Sequence, residues 1–226
     1  MAQKRRVALY GGTFDPIHLG HLEVARRLQE LFALAEVLFI PAYVPPHKRK
    51  LNVSRALHRY TMLALATQND EHLRVSTIEL DAPEQPYTVE TLGRIRAALG
   101  EATDVFFVMG ADSWAEITTW HKWEQVLNAS HHIVVTRPGY EIDATHVGAD
   151  VRDRIVDLRA LEPRELSARV QDSGEARIYF TDAVNADVSA TKIRELAANA
   201  NRDQLSMLVP PPVADYILKY ELYKSE

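Results

Sequence analysis

The sequence predicts an α/β fold, a doubly wound and mostly parallel sheet followed by a C-terminal helical segment. Three observations carry this. Short apolar runs recur along the chain, amphipathic helical patterns lie between them, and a glycine pair follows the first run directly.

The strand candidates are residues 7–10, 37–40, 73–80, 105–109, 133–136 and 177–181, each short and rich in β-branched or aromatic side chains. Residues 18–34 place Leu19, Leu22, Ala25, Leu28 and Phe32 near helical spacing. Residues 55–66 do the same with Leu57, Met62 and Leu65, and residues 88–99 with Leu92 and Ile95. Strand, helix, strand, helix is the order of a Rossmann-like sheet covered on both faces, with ligands at the carboxyl ends of its strands. Residues 139–175 interrupt the alternation. Gly139, Gly148 and Gly174 surround a charged stretch poor in aromatics, read as an inserted helical or irregular segment, with a flexible excursion as the alternative. Pro210, Pro211 and Pro212 then introduce residues 213–223, where Tyr216, Ile217, Tyr220 and Tyr223 share the face of a docking helix. With no internal repeat, the chain reads as one domain over 1–226, with C-terminal helices from about residue 189.

Composition removes whole classes of function. A chain of 226 residues, 46% hydrophobic and 25% charged, has the balance of a globular protein rather than a disordered or fibrous one. Its net charge of -5 gives no electrostatic reason to bind nucleic acid, and Lys48-Arg49-Lys50 is a cluster short enough for a solvated loop. Without cysteine, disulfides, thiolate metal sites and cysteine nucleophiles are impossible. The apolar run at 7–10 is too short for a signal peptide, and no stretch approaches the roughly 20 residues of a membrane helix. A soluble cytoplasmic protein is expected, with no nucleic-acid or membrane partner; a homo-oligomer is compatible with the sequence.

The most informative segment is Gly11-Gly12-Thr13-Phe14-Asp15-Pro16-Ile17-His18-Leu19-Gly20-His21, directly after the first strand. The glycines permit close backbone approach, and the helix start that follows is expected to offer unpaired N–H groups and a positive dipole end to an anion. His18 and His21, three apart, fall on one side of the first turn, with Gly20 leaving room between them. The bland alternative is a tight turn, a helix start and a capping or core histidine pair. A metal centre on Asp15, His18 and His21 is weaker still, because two histidines at this spacing lack a convincing third ligand. The string matches neither GxxxxGK[ST] nor GxGxxG.

GGTFDPIHLGHL resembles the signature of the nucleotidyltransferases whose HxGH motif binds nucleotide phosphates. Val188-Ser189-Ala190-Thr191-Lys192-Ile193-Arg194 resembles that superfamily's second motif, SSTxIR, with alanine in place of the second serine. Further segments are similar to those of the nicotinate mononucleotide adenylyltransferase family. They are Pro45-Pro46-His47-Lys48, Tyr87-Thr88 with the threonine at Thr91, Met109-Gly110-Ala111-Asp112-Ser113 with the later Trp120, and Arg137-Pro138-Gly139. The likeness spans nearly the whole chain outside 139–175.

This resemblance implies a nucleotidyltransferase domain that joins ATP to nicotinate mononucleotide, with Mg2+ held chiefly by phosphates and water and no protein metal cage. It implies that His18, His21, Lys48 and Arg194 stabilise charge growing on the phosphates. ATP would be held by these histidines and Arg194 together with Gly11, Gly12, Thr13, Phe14, Gly110, Asp112, Ser189 and Thr191. Nicotinate mononucleotide would be held by His47, Tyr87, Thr88, Asp112, Trp120 and Arg137. Within these roles Trp120 would stack on the pyridine ring, Thr88 would receive the nicotinate carboxylate at a helix start, and Asp112 would accept from ribose hydroxyls. Nicotinamide-mononucleotide, pantetheine-phosphate and cytidylyl transfer, and a catalytically silent nucleotide sensor, are the rival readings.

Overall fold

The first strand contains the logic of the sheet. In β1 (Arg5–Gly12) Val7 and Leu9 enter one apolar cluster and Ala8 the other, so alternate side chains are buried on opposite faces. β4 (Thr103–Gly110) repeats this, with Val105, Phe107 and Met109 on the first side and Phe106 and Val108 on the second. Strands apolar on both faces require helices on both faces.

The computed structural model describes residues 4–43, 53–82, 86–136, 142–159, 161, 165, 169–170, 175–182, 189–199 and 201–224. Besides β1 and β4, the strands are β2 (Glu36–Pro41), β3 (Leu73–Val75), β5 (His131–Val135), β6 (Ile155–Asp157) and β7 (Ile178–Thr181). They form one seven-stranded sheet, every pair parallel, in the order β3-β2-β1-β4-β5-β7-β6. The order reverses between β1 and β4. With Tyr10 opposite Val108, the carboxyl ends Gly12 and Gly110 lie side by side, and a crevice at such a switch point is where open α/β sheets bind ligands.

The described helices are α1 (Leu19–Leu31), α2 (Ala56–Thr67), α3 (Thr88–Leu99), α4 (Ala111–Ala115), α5 (Trp123–Ala129), α6 (Ala149–Arg152), α7 (Ala190–Ala198), α8 (Arg202–Ser206) and α9 (Pro211–Lys219). α1 buries Leu22, Ala25, Leu28 and Leu31 beneath one face of the sheet, together with Met62 of α2, Ile193 of α7 and Val213 and Ile217 of α9. α3 and α5 cover the opposite face with Leu92, Ile95, Val126 and Leu127. α9 starts at Pro211, where a ring nitrogen forfeits no intrahelical bond. His132 in β5 is fully buried with its Nε2 3.1 Å from the Val126 carbonyl. Burial pushes its pKa down to about 3, which makes it a neutral core group.

Three elements differ from the sequence expectation, and one is the last helix: foreseen over 213–223, α9 ends at Lys219, and Tyr223 lies beyond it with a φ of +70°. The strand foreseen over 73–80 ends at Val75, because Ser76 N–H closes the ladder on the Phe39 carbonyl and Ile78 N–H turns back to the Ser76 hydroxyl. Within 139–175 the described residues include β6, which adds a strand to the sheet edge beside β7.

Candidate active site

Gly11 and Gly12 end β1, and the chain turns through Phe14, whose φ is +49°. Gly12 lacks a side chain for an internal reason: a Cβ there would stand 2.8 Å from the Phe14 ring. That ring is buried, edge-on to Tyr10, Phe39 and His21. Phe14 therefore has only its backbone to offer a nucleotide. We expect Gly12→Ala to cost about 1–3 kcal/mol, read as a lowered urea midpoint, since a packed ring must shift. Gly11→Ala, whose Cβ would meet Phe107 at an ordinary 3.5 Å, should leave the midpoint near wild type.

His18 is the N-cap of α1. Its Nδ1 accepts the His21 N–H at 3.3 Å, so the neutral imidazole carries its proton on Nε2. The two rings stack with centroids 3.6 Å apart and planes 24° from parallel. The helix start itself is less open than the sequence suggested. Leu19 N–H donates to the Leu208 carbonyl at 2.8 Å, and His21 N–H is taken by His18. The loop after α8 covers this end of α1, so donors toward an anion must come chiefly from side chains and the Gly11–Thr13 backbone.

The second motif meets the first here. Ser189 is the N-cap of α7 and makes no capping bond with its hydroxyl. Arg194, five residues on, donates Nη1 to the Asp15 carbonyl at 2.8 Å and Nη2 to the Thr191 hydroxyl at 3.0 Å. The Asp15 carboxylate is buried and already occupied: Oδ1 accepts from the Tyr223 hydroxyl at 2.7 Å and Oδ2 from Ser54 N–H at 3.1 Å. Burial, then the Asp15 charge, raises the Tyr223 pKa, keeping the phenol a donor.

Arg59 of α2 was not among the sequence candidates, yet its side chain is buried against this loop. Its guanidinium donates to four carbonyls, Ser54 (3.0 Å), Thr13 (2.8 Å), Ala42 (2.6 Å) and Tyr43 (3.0 Å). Burial lowers its pKa, opposed chiefly by the charge of Asp15 and also by that of Glu79.

Across the switch point, Gly110 is the N-cap of α4, and a Cβ there would collide at 2.5 Å with the Asp112 carboxylate, which folds back over the helix start. Asp112 itself accepts from Ser113 N–H at 2.9 Å. Trp120 is half-buried, its ring edge-on to Phe107 with centroids 6.3 Å apart. Thr88 opens α3, and the Glu90 carboxylate accepts Tyr87 N–H at 3.1 Å, fixing that helix start. Tyr87 is exposed and stacks on His121 at 4.2 Å, which brings the start of α3 against the segment carrying Trp120. His121 had no distinguishing signal beyond following Trp120 in the chain. Phe107 lies between the two groups of residues, touched by the Gly11 position on one side and Trp120 on the other. His47, Lys48 and Arg137 lie outside the described residues.

A profile described as cytidylyltransferase-like matches residues 9–196. A relative from Thermoanaerobacter sp. (strain X514), described as a probable nicotinate-nucleotide adenylyltransferase, is 36% identical over 226 residues, covering 100% of this chain and 98% of its own length. Another of the same description, from Desulfatibacillum aliphaticivorans, is 35% identical over 220 residues, 96% of this chain and 99% of its own. Among solved structures, Plasmodium falciparum nicotinic acid mononucleotide adenylyltransferase complexed with NaAD superposes with a TM-score of 0.69 at 19% identity, covering 97% of each chain, a likeness of fold. The chain belongs to the cytidylyltransferase-like family. It is a nucleotidyltransferase, and its full-length relatives above are of the nicotinate-nucleotide adenylyltransferase kind. Among the described residues, no helix is long and apolar enough to cross a membrane.

Proposed function

We propose that the chain transfers the adenylyl group of ATP to the 5′-phosphate of nicotinate mononucleotide, giving nicotinate adenine dinucleotide and pyrophosphate for NAD biosynthesis. The observation that carries this reading is the stacked His18–His21 pair at the carboxyl end of β1, facing a sheet switch point. An oxygen of the mononucleotide phosphate attacks the α-phosphorus in line and forms one P–O bond. The bond to the α,β-bridging oxygen breaks, and its electron pair leaves with pyrophosphate. The nucleophile is already an anion, so no base is needed. The protein's task is to align two anions and stabilise charge growing on the phosphates.

In this reading His18 donates through Nε2–H, with His21, Lys48 and Arg194 completing the set around the triphosphate. Arg194 would exchange its bond to the Asp15 carbonyl for a phosphate oxygen. The backbone of Gly11, Gly12, Thr13 and Phe14 and the residues Gly110, Ser189 and Thr191 hold the rest of ATP. Asp112 accepts ribose hydroxyls of both substrates. Trp120 stacks on the pyridine ring, Tyr87 and Thr88 present the start of α3 to the nicotinate carboxylate, and His47 and Arg137 complete the set that binds nicotinate mononucleotide. The divalent metal that accompanies ATP is Mg2+. Among the described residues no three His, Cys, Asp or Glu side chains form a metal cluster, and the Asp15 carboxylate is committed to Tyr223 and Ser54, so phosphates and water would hold the ion. When bound it neutralises charge on the phosphates.

The test is pyrophosphate release from ATP with nicotinate or nicotinamide mononucleotide as acceptor. A charged hydrogen bond at the start of α3 should favour the acid by about 10- to 100-fold in kcat/KM. Equal rates would sink the carboxylate assignment, and no release with either acceptor would sink the reaction.

A further inference from the structure

Arg59 poses an energetic problem. A guanidinium with almost no exposed surface and only carbonyl partners gains less than one paired with a carboxylate, and an apolar side chain of similar volume is often as stable at such positions. What the guanidinium does, and an apolar residue would not, is tie together three stretches of chain that are far apart in sequence. Thr13 belongs to the loop after β1, Ala42 and Tyr43 continue from the end of β2, and Ser54 leads into α2. Each of these stretches has a second anchor. Ala42 N–H bonds to the Gly12 carbonyl at 2.9 Å, and Ser54 N–H bonds to the Asp15 carboxylate. The Tyr43 backbone lies against the half-buried Glu79 carboxylate and holds its pKa down against the rise that burial causes, and that carboxylate accepts the hydroxyl of Thr91, one turn into α3, at 2.9 Å. Hydrogen bonds thus join Thr13 through Arg59 to Tyr43, and the Glu79 carboxylate beside the Tyr43 backbone is bonded to Thr91 of the helix that begins at Thr88.

We propose that Arg59 is a positioning residue for the transfer. Its planar fork sets the spacing between the loop that holds ATP and the Tyr43 segment wired to α3, and so sets the alignment of the two substrates. This rests on the reaction proposed above. Arg59 touches neither substrate, and its effect is exerted through the backbone of Thr13 and Tyr43. A lysine keeps the charge but is a point donor without a planar fork, so it cannot span the same four carbonyls in the same geometry.

The experiment compares wild type with Arg59→Lys and with the uncharged Arg59→Gln, all as full chains. It measures folding by circular dichroism and thermal melting, binding of ATP alone and of nicotinate mononucleotide alone by calorimetry, and kcat by pyrophosphate release. A group that aligns two substrates should affect their reaction more than the binding of either. The expected result is therefore a kcat at least about tenfold lower in a folded variant, with each separate Kd within about threefold of wild type. A kcat per folded molecule within about twofold of wild type, whatever the melting temperature, would overturn the proposal. So would failure of both variants to fold, which would assign Arg59 to stability alone. An inactive wild type would remove this proposal together with the reaction, whereas an active wild type with unimpaired variants removes this proposal only.

Discussion

His18→Ala should lose roughly 10²- to 10³-fold in turnover with the fold intact, the usual effect of removing one preorganised donor to a developing phosphate charge. The alanine variant carries a second loss, because His18 is also the N-cap of α1 and its Nδ1 receives the His21 N–H. That cap is worth about 1 kcal/mol, a small part of the stability of a 226-residue chain. His18→Asn separates the two roles. Asparagine is a good cap acceptor and has no ring donor at the Nε2 position, so it should melt close to wild type yet remain as slow as the alanine variant. Stopped or coupled pyrophosphate assays beside thermal melts read both quantities. Turnover near wild type in either variant would refute the assignment of His18 to the phosphates.

The largest stability effect is expected at Trp114. Its ring is almost wholly buried in α4, edge-on to Phe180 and His146, and its indole N–H donates to the Asp143 carbonyl at 2.8 Å. His146 Nε2 in turn lies 2.9 Å from the Trp114 carbonyl, so this one residue pins the 142–147 segment to the helix that bears Asp112. Trp114→Ala should cost about 3–5 kcal/mol in urea unfolding. Trp114→Phe keeps much of the packing but leaves the Asp143 carbonyl without its donor, and should cost about 1–3 kcal/mol. If the alanine variant unfolded at the wild-type midpoint, the 142–147 segment would not be anchored as described. Because Asp112 sits two residues away, the alanine variant should also raise KM for substrate at a permissive temperature.

What the sequence made legible was local. The strand before Gly11-Gly12, the histidine pair and the helix starts at Thr88 and Ser189 all announce themselves within a few residues, through period, glycine and capping chemistry. What it hid depends on distant partners. Arg59 sits in a helical pattern where an arginine ordinarily reads as solvent-facing, and its partner Thr13 is 46 residues away. Trp114 and Trp120 are equally conspicuous as letters, but only the fold shows that Trp114 fills the core while Trp120 stays half-buried beside Phe107. β6 is three residues long and owes its state to the exposed edge of β7, which no local pattern encodes. The satisfied Leu19 N–H at the start of α1 depends on Leu208, again out of reach of any window on the sequence.

The hydroxyl of Tyr223 reaches Asp15 across 208 positions of the chain. Protein synthesis runs from the amino end, so the loop after β1 leaves the ribosome 208 residues before its buried acid can meet that partner. A ribosome product that terminates short of this tyrosine carries the histidines and the glycines but not the bond that braces them. The brace is thereby tied to translation reaching Tyr223.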